Sequence, residues 1–264
     1  MMLPIAEGAT VKFALQVAFL AALACLTSTT ADAQHRADPF RWTGFYAGVN
    51  AGVALDQARF DHRATGDFLP FPPASANLAA LGSGEFDPEG GIAGGQIGYN
   101  WQRGHWVAGV EADIQWRGGS YSESSSTSPA VYFPGLTASF QTSMSSNVLS
   151  TLRLRTGITV HDMLFYVTGG LAISQFEFSQ TVNFGPFPEA ATGSVKDTKF
   201  GWTIGAGGEF ALTRNWALKA EYLFVQFDNL NVELFNPTSP TFTHEVRVDD
   251  LQTHVLRLGL NYTF

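Results

Sequence analysis

The sequence predicts an all-β chain: an eight-stranded antiparallel transmembrane β-barrel with short turns at one end and long loops at the other. Three observations carry this. Eight segments of about ten residues, the length a tilted spanning strand needs, alternate apolar residues with small or polar ones. Short and long connections between them alternate strictly. Aromatic residues gather at the ends of the apolar faces, where a strand would cross the two surfaces of a bilayer.

The elements follow in order. In GFYAGVNAGVA, Phe45, Ala47, Val49, Ala51 and Val53 share one face, opposed by Tyr46, Gly48, Asn50 and Gly52. GGQIGYNWQ sets Ile97, Tyr99 and Trp101 against Gln96, Gly98, Asn100 and Gln102. WVAGVEADIQW is the clearest: Trp106 and Trp116 begin and end an apolar face that includes Val110 and Ile114, while Glu111, Asp113 and Gln115 point the other way. In VLSTLRLRTGI, Val148, Leu152, Leu154 and Ile158 oppose Thr151, Arg153, Arg155 and Gly157. LFYVTGGLAIS sets Phe165, Val167, Leu171 and Ile173 against Tyr166, Thr168, Gly170 and Ser174. FGWTIGAGGEF sets Phe200, Trp202, Ile204 and Phe210 against Thr203, Gly207 and Glu209, and WALKAEYLF sets Trp216, Leu218, Tyr222 and Phe224 against Lys219, Glu221 and Leu223. In HVLRLGLNYTF, Leu256, Leu258, Leu260, Tyr262 and Phe264 oppose Val255, Arg257, Gly259 and Asn261.

Tight turns are expected at Arg103-Gly104-His105, over about five residues around His161-Asp162, and at Leu212-Thr213-Arg214-Asn215. The other connections are read as loops of about 35 residues from Leu55, about 30 from Arg117, and about 20 to 25 in each of the last two. Two of their stretches, FLPFPPA (68–74) and SYSESSSTSPA (120–130), are expected to resist regular structure and to form exposed surface. An even strand count permits closure, which lipid requires, because an open edge would leave backbone amides and carbonyls without partners.

Composition narrows the function. A net charge of -8 with no basic stripe argues against a nucleic-acid partner. Lys12 precedes an apolar run, FALQVAFLAALACL, and Ala31-Asp32-Ala33 supplies a small-x-small site, so residues 1–33 read as a cleaved secretory signal. The run is shorter than the roughly 20 residues of a spanning helix. A lipid-anchor reading through Cys25 is disfavoured by Ala22 three residues earlier. Cys25 is the single cysteine, so a mature chain from Gln34 would hold neither disulfides nor thiolate metal sites. Residues 34–43 form a short N-terminal segment, residues 44–264 the barrel, and no periplasmic globular domain is expected.

The phrases WTGFYAGVNAG, GGQIGYNW, LRTGI, LFYVTGGLA, GWTIGAGGEF, LKAEYLFV and LRLGLNYTF resemble the porin-family outer-membrane proteins of alphaproteobacteria, OmpA-like barrels that include major surface antigens. The resemblance spans essentially all of 42–264 outside the loops. It implies a place in the bacterial outer membrane, with periplasmic turns and extracellular loops. It also implies a C-terminal signal, here Leu258, Leu260, Tyr262 and Phe264, read by the barrel-assembly machinery.

On this fold Trp101, Trp106, Trp116, Trp202, Trp216 and Tyr262 are the expected aromatic girdles against outer-membrane lipid. Glu111, Asp113, Arg153, Arg155, Glu209, Lys219, Glu221 and Arg257 all fall on the inward face. Two readings of these charges stand: a core of mutually satisfied ion pairs, or a gate along a narrow ion path. An eight-stranded barrel has an interior just wide enough for side chains, which favours a plugged lumen. The histidines 35, 62, 105, 161, 244 and 254 are scattered over turns and loops, and no catalytic, metal or cofactor motif is evident. The leading function is structural and surface-presenting, with an extracellular ligand at the loops left open. The alternative is passive diffusion of small solutes, and a lipid-modifying enzyme is a third reading.

Overall fold

The computed structural model describes residues 40–66, 82–118, 120–127, 137–185, 190–234 and 242–264, together with 76, 79 and 80. The expected signal and the FLPFPPA stretch lie outside these residues. Eight long strands form the wall: β1 (Gly44–Gly66), β3 (Glu89–Arg103), β4 (Trp106–Arg117), β6 (Thr137–Val160), β7 (Met163–Gly185), β8 (Ala190–Ala211), β9 (Trp216–Phe227) and β11 (Phe242–Thr263). Three shorter ones lie at the loop end: β2 (Gly84–Phe86), β5 (Ser120–Thr127) and β10 (Leu230–Leu234). Each wall strand pairs antiparallel with its sequence neighbour in the wall, and β1 pairs with β11 from Tyr46↔Thr263 to Gly66↔Phe242. That last ladder closes the barrel and removes the exposed edge.

The turns are tighter than expected at two places. Arg103 pairs with Trp106 and Val160 with Met163, so each connection is two residues, Gly104-His105 and His161-Asp162. Gly104 and His161 take the positive φ such turns require, 61° and 55°. The third turn keeps the four expected residues, with Ala211 ending β8 and Trp216 opening β9.

The long connections are where the structure departs most from the sequence reading. Far from being irregular, they are mostly strand: β1 runs on to Gly66, β6 starts at Thr137, β7 reaches Gly185 and β11 starts at Phe242. In the serine-rich stretch, expected to resist regular structure, residues 120–127 form β5 and pair with β6 from Ser120↔Ser145 to Thr127↔Ala138, while 128–130 lie outside the described residues. Adjacent strands supply ladder partners for its backbone, and these outweigh the weak intrinsic strand preference of serine.

The reason the extensions escape a pattern search is visible in β7. Its inward face continues with one parity from Leu164 through Tyr166, Thr168, Ala172 and Ser174 to Phe176, Phe178 and Val182. Near the turns the outward partners are apolar, Phe165, Val167, Leu171 and Ile173, all exposed. Beyond Ser174 the outward residues turn polar and the inward ones, Gln180 apart, turn apolar. The alternation survives while its polarity inverts, which is what a strand does when it leaves lipid for water and must bury apolar groups inside. The result is a head at the loop end, with a core built from Phe60, Phe140, Phe176, Phe178, Phe227 and Leu230 among others.

Candidate functional site: the closed lumen

The lumen fills in layers. At the turn end, Trp42 of the N-terminal segment is buried against Val107, Leu164, Tyr166 and Ala217. Its backbone N–H donates to the Gln102 side chain at 3.3 Å, and Phe40 stacks on it at 4.5 Å between ring centroids. This sixth tryptophan is an inward plug. The sequence reading missed it because Trp42 lies just before the first alternating segment.

Above it the wall places all eight predicted charged residues inside, none more than 7% exposed. Three opposite-charge pairs stand directly across ladders: Glu111↔Arg153, Glu209↔Lys219 and Glu221↔Arg257. The ion pairs do not simply follow the ladders. Glu111 contacts Arg153, but it also receives Lys219 Nζ at 2.6 and 2.8 Å. β4 and β9 are four places apart in the ring of eight, so this contact spans the lumen. Arg153 reaches Asp113 at 2.8 Å and Glu221 at 3.1 Å. Arg257 reaches Glu221 at 2.5 Å and Asp113 at 3.0 Å, and Arg155 meets Glu209 at 2.6 Å. Four carboxylates and four cations thus neutralise one another in one cross-lumen cluster, the arrangement that buried charges need.

Two inward tyrosines complete it. Tyr46 donates to Glu111 and Tyr166 to Glu221, each at 2.7 Å, and the Arg155 guanidinium lies 3.9 Å from the Tyr166 ring centroid. Each tyrosine lies over an inward glycine of the next strand, Tyr46 over Gly98 and Tyr166 over Gly207, where a Cβ would collide with the phenol. Sequence parity put both tyrosines inside, but only the ring packing shows them as members of the cluster. A neutral layer follows, in which Asn50 donates to Gln96 at 2.5 Å and Gln96 to Asn261 at 2.7 Å.

The outward residues form the complementary surface. Trp101, Trp106, Trp116, Trp202 and Trp216 are all exposed. Tyr262 is half-buried, edge-on to Trp216 at 5.0 Å and to Phe264 at 5.2 Å. Leu258 and Phe264 are exposed on the same face of β11, with Leu260 partly so.

The head holds a constellation that the sequence reading scattered. His62 and His244, 182 positions apart, meet inside with His62 Nε2 to His244 Nδ1 at 3.1 Å. Gln180 Oε1 lies 2.9 Å from His62 Nδ1, while the Gln180 amide donates to Thr142 at 2.9 Å. Burial away from water lowers the pKa of both imidazoles, and that of His244 falls to about 4. His254 stands apart, at 2.8 Å from the Tyr222 hydroxyl. Among the described residues no three His, Cys, Asp or Glu side chains are placed to hold a metal ion.

Comparison with known proteins agrees with this architecture. The chain is 36% identical over 231 residues to the 31 kDa outer-membrane immunogenic protein of Brucella melitensis, covering 86% of this chain and 85% of the relative. It is 30% identical over 143 residues to the 22 kDa outer membrane protein of Rhizobium leguminosarum bv. viciae, 53% of this chain and 56% of that one. Among solved structures, the outer membrane protein OprG from Pseudomonas aeruginosa is similar over 85% of this chain and 98% of its own, with 11% identity and a TM-score of 0.47. The family model described as the outer membrane protein beta-barrel domain matches residues 18–264, and the chain belongs to that family of the bacterial outer membrane.

Proposed function

We propose that this protein is a sealed outer-membrane barrel whose work is structural and surface-presenting: it contributes to the envelope and holds an ordered head above the membrane. The observation that carries this reading is the filling of the lumen by side chains, with Trp42 at the turn end, the charge cluster above it and the apolar head at the loop end. A head with its own core of phenylalanines and leucines displays its outer strands rigidly, which suits a surface recognised from outside. The names of the relatives, immunogenic proteins of the outer membrane, support display as the class of role. The site chemistry is read as non-catalytic, since each lumen carboxylate and cation is engaged by an opposite charge. Lipid contact falls to the outward leucines and tryptophans, and recognition by the assembly machinery to Leu258, Leu260, Tyr262 and Phe264.

A second reading, a narrow path for small solutes, is favoured by one observation. Several buried lumen atoms have no hydrogen-bond partner among the described residues, including both side-chain polar atoms of Gln115 and Asn50 Oδ1. Such groups are stable where water reaches them. Single-channel recording of the mature chain refolded in a planar bilayer separates the two, with folding verified by the heat-dependent shift on a gel. The sealed barrel yields a folded protein without current steps. Stable ohmic steps would move the transport reading ahead.

A further inference from the structure

Where the polar lumen gives way to the apolar head, the wall contains a cavity of about 110 Å³. At roughly 10–15 Å³ for each water it could hold, it has room for several waters or one small ring. Its floor is polar. Arg117 and Asp56 pair there with side chains only 6% and 22% exposed, Thr253 donates to Asp56 at 2.5 Å, and Arg117 reaches Ser146 at 3.4 Å. Its ceiling is apolar, made by Ala58, Met144, Phe176 and Leu251.

Three backbone irregularities converge on this one cavity. β1 and β11 slip register between Gln57 and Arg59, where Asp250 takes a left-handed φ of 54°. β6 and β7 slip register between Ser146 and Leu149. Bulges and strained residues of this kind gather beside functional sites, where they re-aim side chains. The mouth lies at the exposed Gln57, Glu89 and Gly118, just past the last paired positions of β3 and β4, Ile92↔Arg117, where Gly118 N–H donates to the Gly91 carbonyl at 2.9 Å. Trp116, exposed on the outward face, immediately precedes Arg117, so the mouth sits at the loop-end edge of the lipid-facing belt.

We infer that this cavity binds one neutral hydroxyl-bearing sugar ring, reached sideways from the headgroup layer of the outer leaflet. The chemistry selects that class. An anion or cation would have to displace one member of a pair that is already neutralised and largely buried, which strands the other charge. A hydroxyl both donates and accepts, so it can serve the Asp56 carboxylate and the Arg117 guanidinium together without separating them. The C–H face of a sugar ring matches the Phe176 and Met144 ceiling, giving the mixture of apolar wall and few convergent polar groups that ligand sites share.

Two sources present such a ring: the headgroup of a glycolipid and a free sugar. The test uses the processed full chain folded in phosphatidylcholine nanodiscs. One arm adds a monoglucosyl diacylglycerol and counts retained lipid by native mass spectrometry, against plain diacylglycerol. The other adds methyl glucoside and reads saturation transfer by NMR. The expected result is retention of one glucosyl lipid by the wild type and a loss of about tenfold or more in G118W, whose new side chain covers the mouth. Gly118 is exposed and an added Cβ would lie 3.8 Å from the Gly91 carbonyl oxygen, an ordinary contact, so this variant is expected to fold, which the heat-dependent gel shift checks. R117Q should lose binding as well, and the exposed S122A should not. Binding of methyl glucoside equal to that of the lipid assigns the site to free sugar. No binding in either arm, or G118W binding like the wild type, overturns the inference.

Discussion

Residues 164–174 and 176–182 of β7 alternate with one parity and bury opposite chemistry. The first stretch sends Tyr166 and Thr168 into a lumen of charges, and the second sends Phe176, Phe178 and Val182 into an apolar head. Both interiors are filled mainly by side chains, yet they are held by different physics. The head is stabilised by surface removed from water, at roughly 25 cal/mol per Å², and tolerates loss of a side chain in proportion to the cavity left. The lumen cluster gains little net energy over an apolar filling, but it fails steeply when one member is removed, because a buried charge is left without a partner. The lower half therefore behaves as an interlocked unit, and the upper half as an additive core.

The largest effect should come from Arg153→Ala. It removes one cation from Glu111, Asp113 and Glu221 together, leaving three cations for four buried carboxylates, and a loss of about 3–5 kcal/mol is expected from the barrel as a whole. Urea unfolding followed by the gel shift measures it, and an unchanged midpoint would refute the interlocked cluster. Leu230→Ala in the head should cost about 2–4 kcal/mol by cavity formation, confined to the loop end. Hydrogen exchange should then quicken in β10 and β11 above Asp249 while residues 255–263 stay protected; uniform loosening would show that the two halves are one cooperative unit.

The smallest effect is in pH. The folded head holds His62 and His244 neutral, with their pKa values below the ordinary 6.5. The unfolded head takes up protons first, so stability is full above about 6.5 and declines as pH falls toward about 4. A drop to pH 5 should weaken the head by about 1–2 kcal/mol, and the double variant H62L/H244L should remove that dependence. Among the described residues Gln180, Thr142 and Phe140 face the pair, and none of these three titrates in this range. Protease accessibility of the head against pH reads the change, and a flat profile in the wild type would count against a neutral buried pair.

Much of this was legible in the chain. WVAGVEADIQW shows its two faces without help, because a period of two admits only one assignment once charge is barred from lipid. The register Glu111↔Arg153 was not legible: parity puts both residues inside, but a long connection joins β4 to β6, and only the folded ladder fixes which residues stand opposite. The head was not legible, because apolar residues such as Phe60, Phe178 and Val248 alternate there with charged ones as any soluble strand would. Nothing local tells such a strand from a loop with scattered apolar residues. Trp42 was hidden for a different reason: a single inward residue before the first strand has no period at all.

The sequence by itself determined which residues meet lipid and which face inward, because parity and the exclusion of charge from hydrocarbon act on each strand separately. Closure of β1 on β11, the reach of Lys219 across the lumen to Glu111, the meeting of His62 with His244 and the Asp56–Arg117 cavity were decided only by the tertiary structure. Each joins residues about 60 to 200 or more positions apart, and such contacts depend on barrel diameter and strand stagger, which belong to the closed ring and to no single strand.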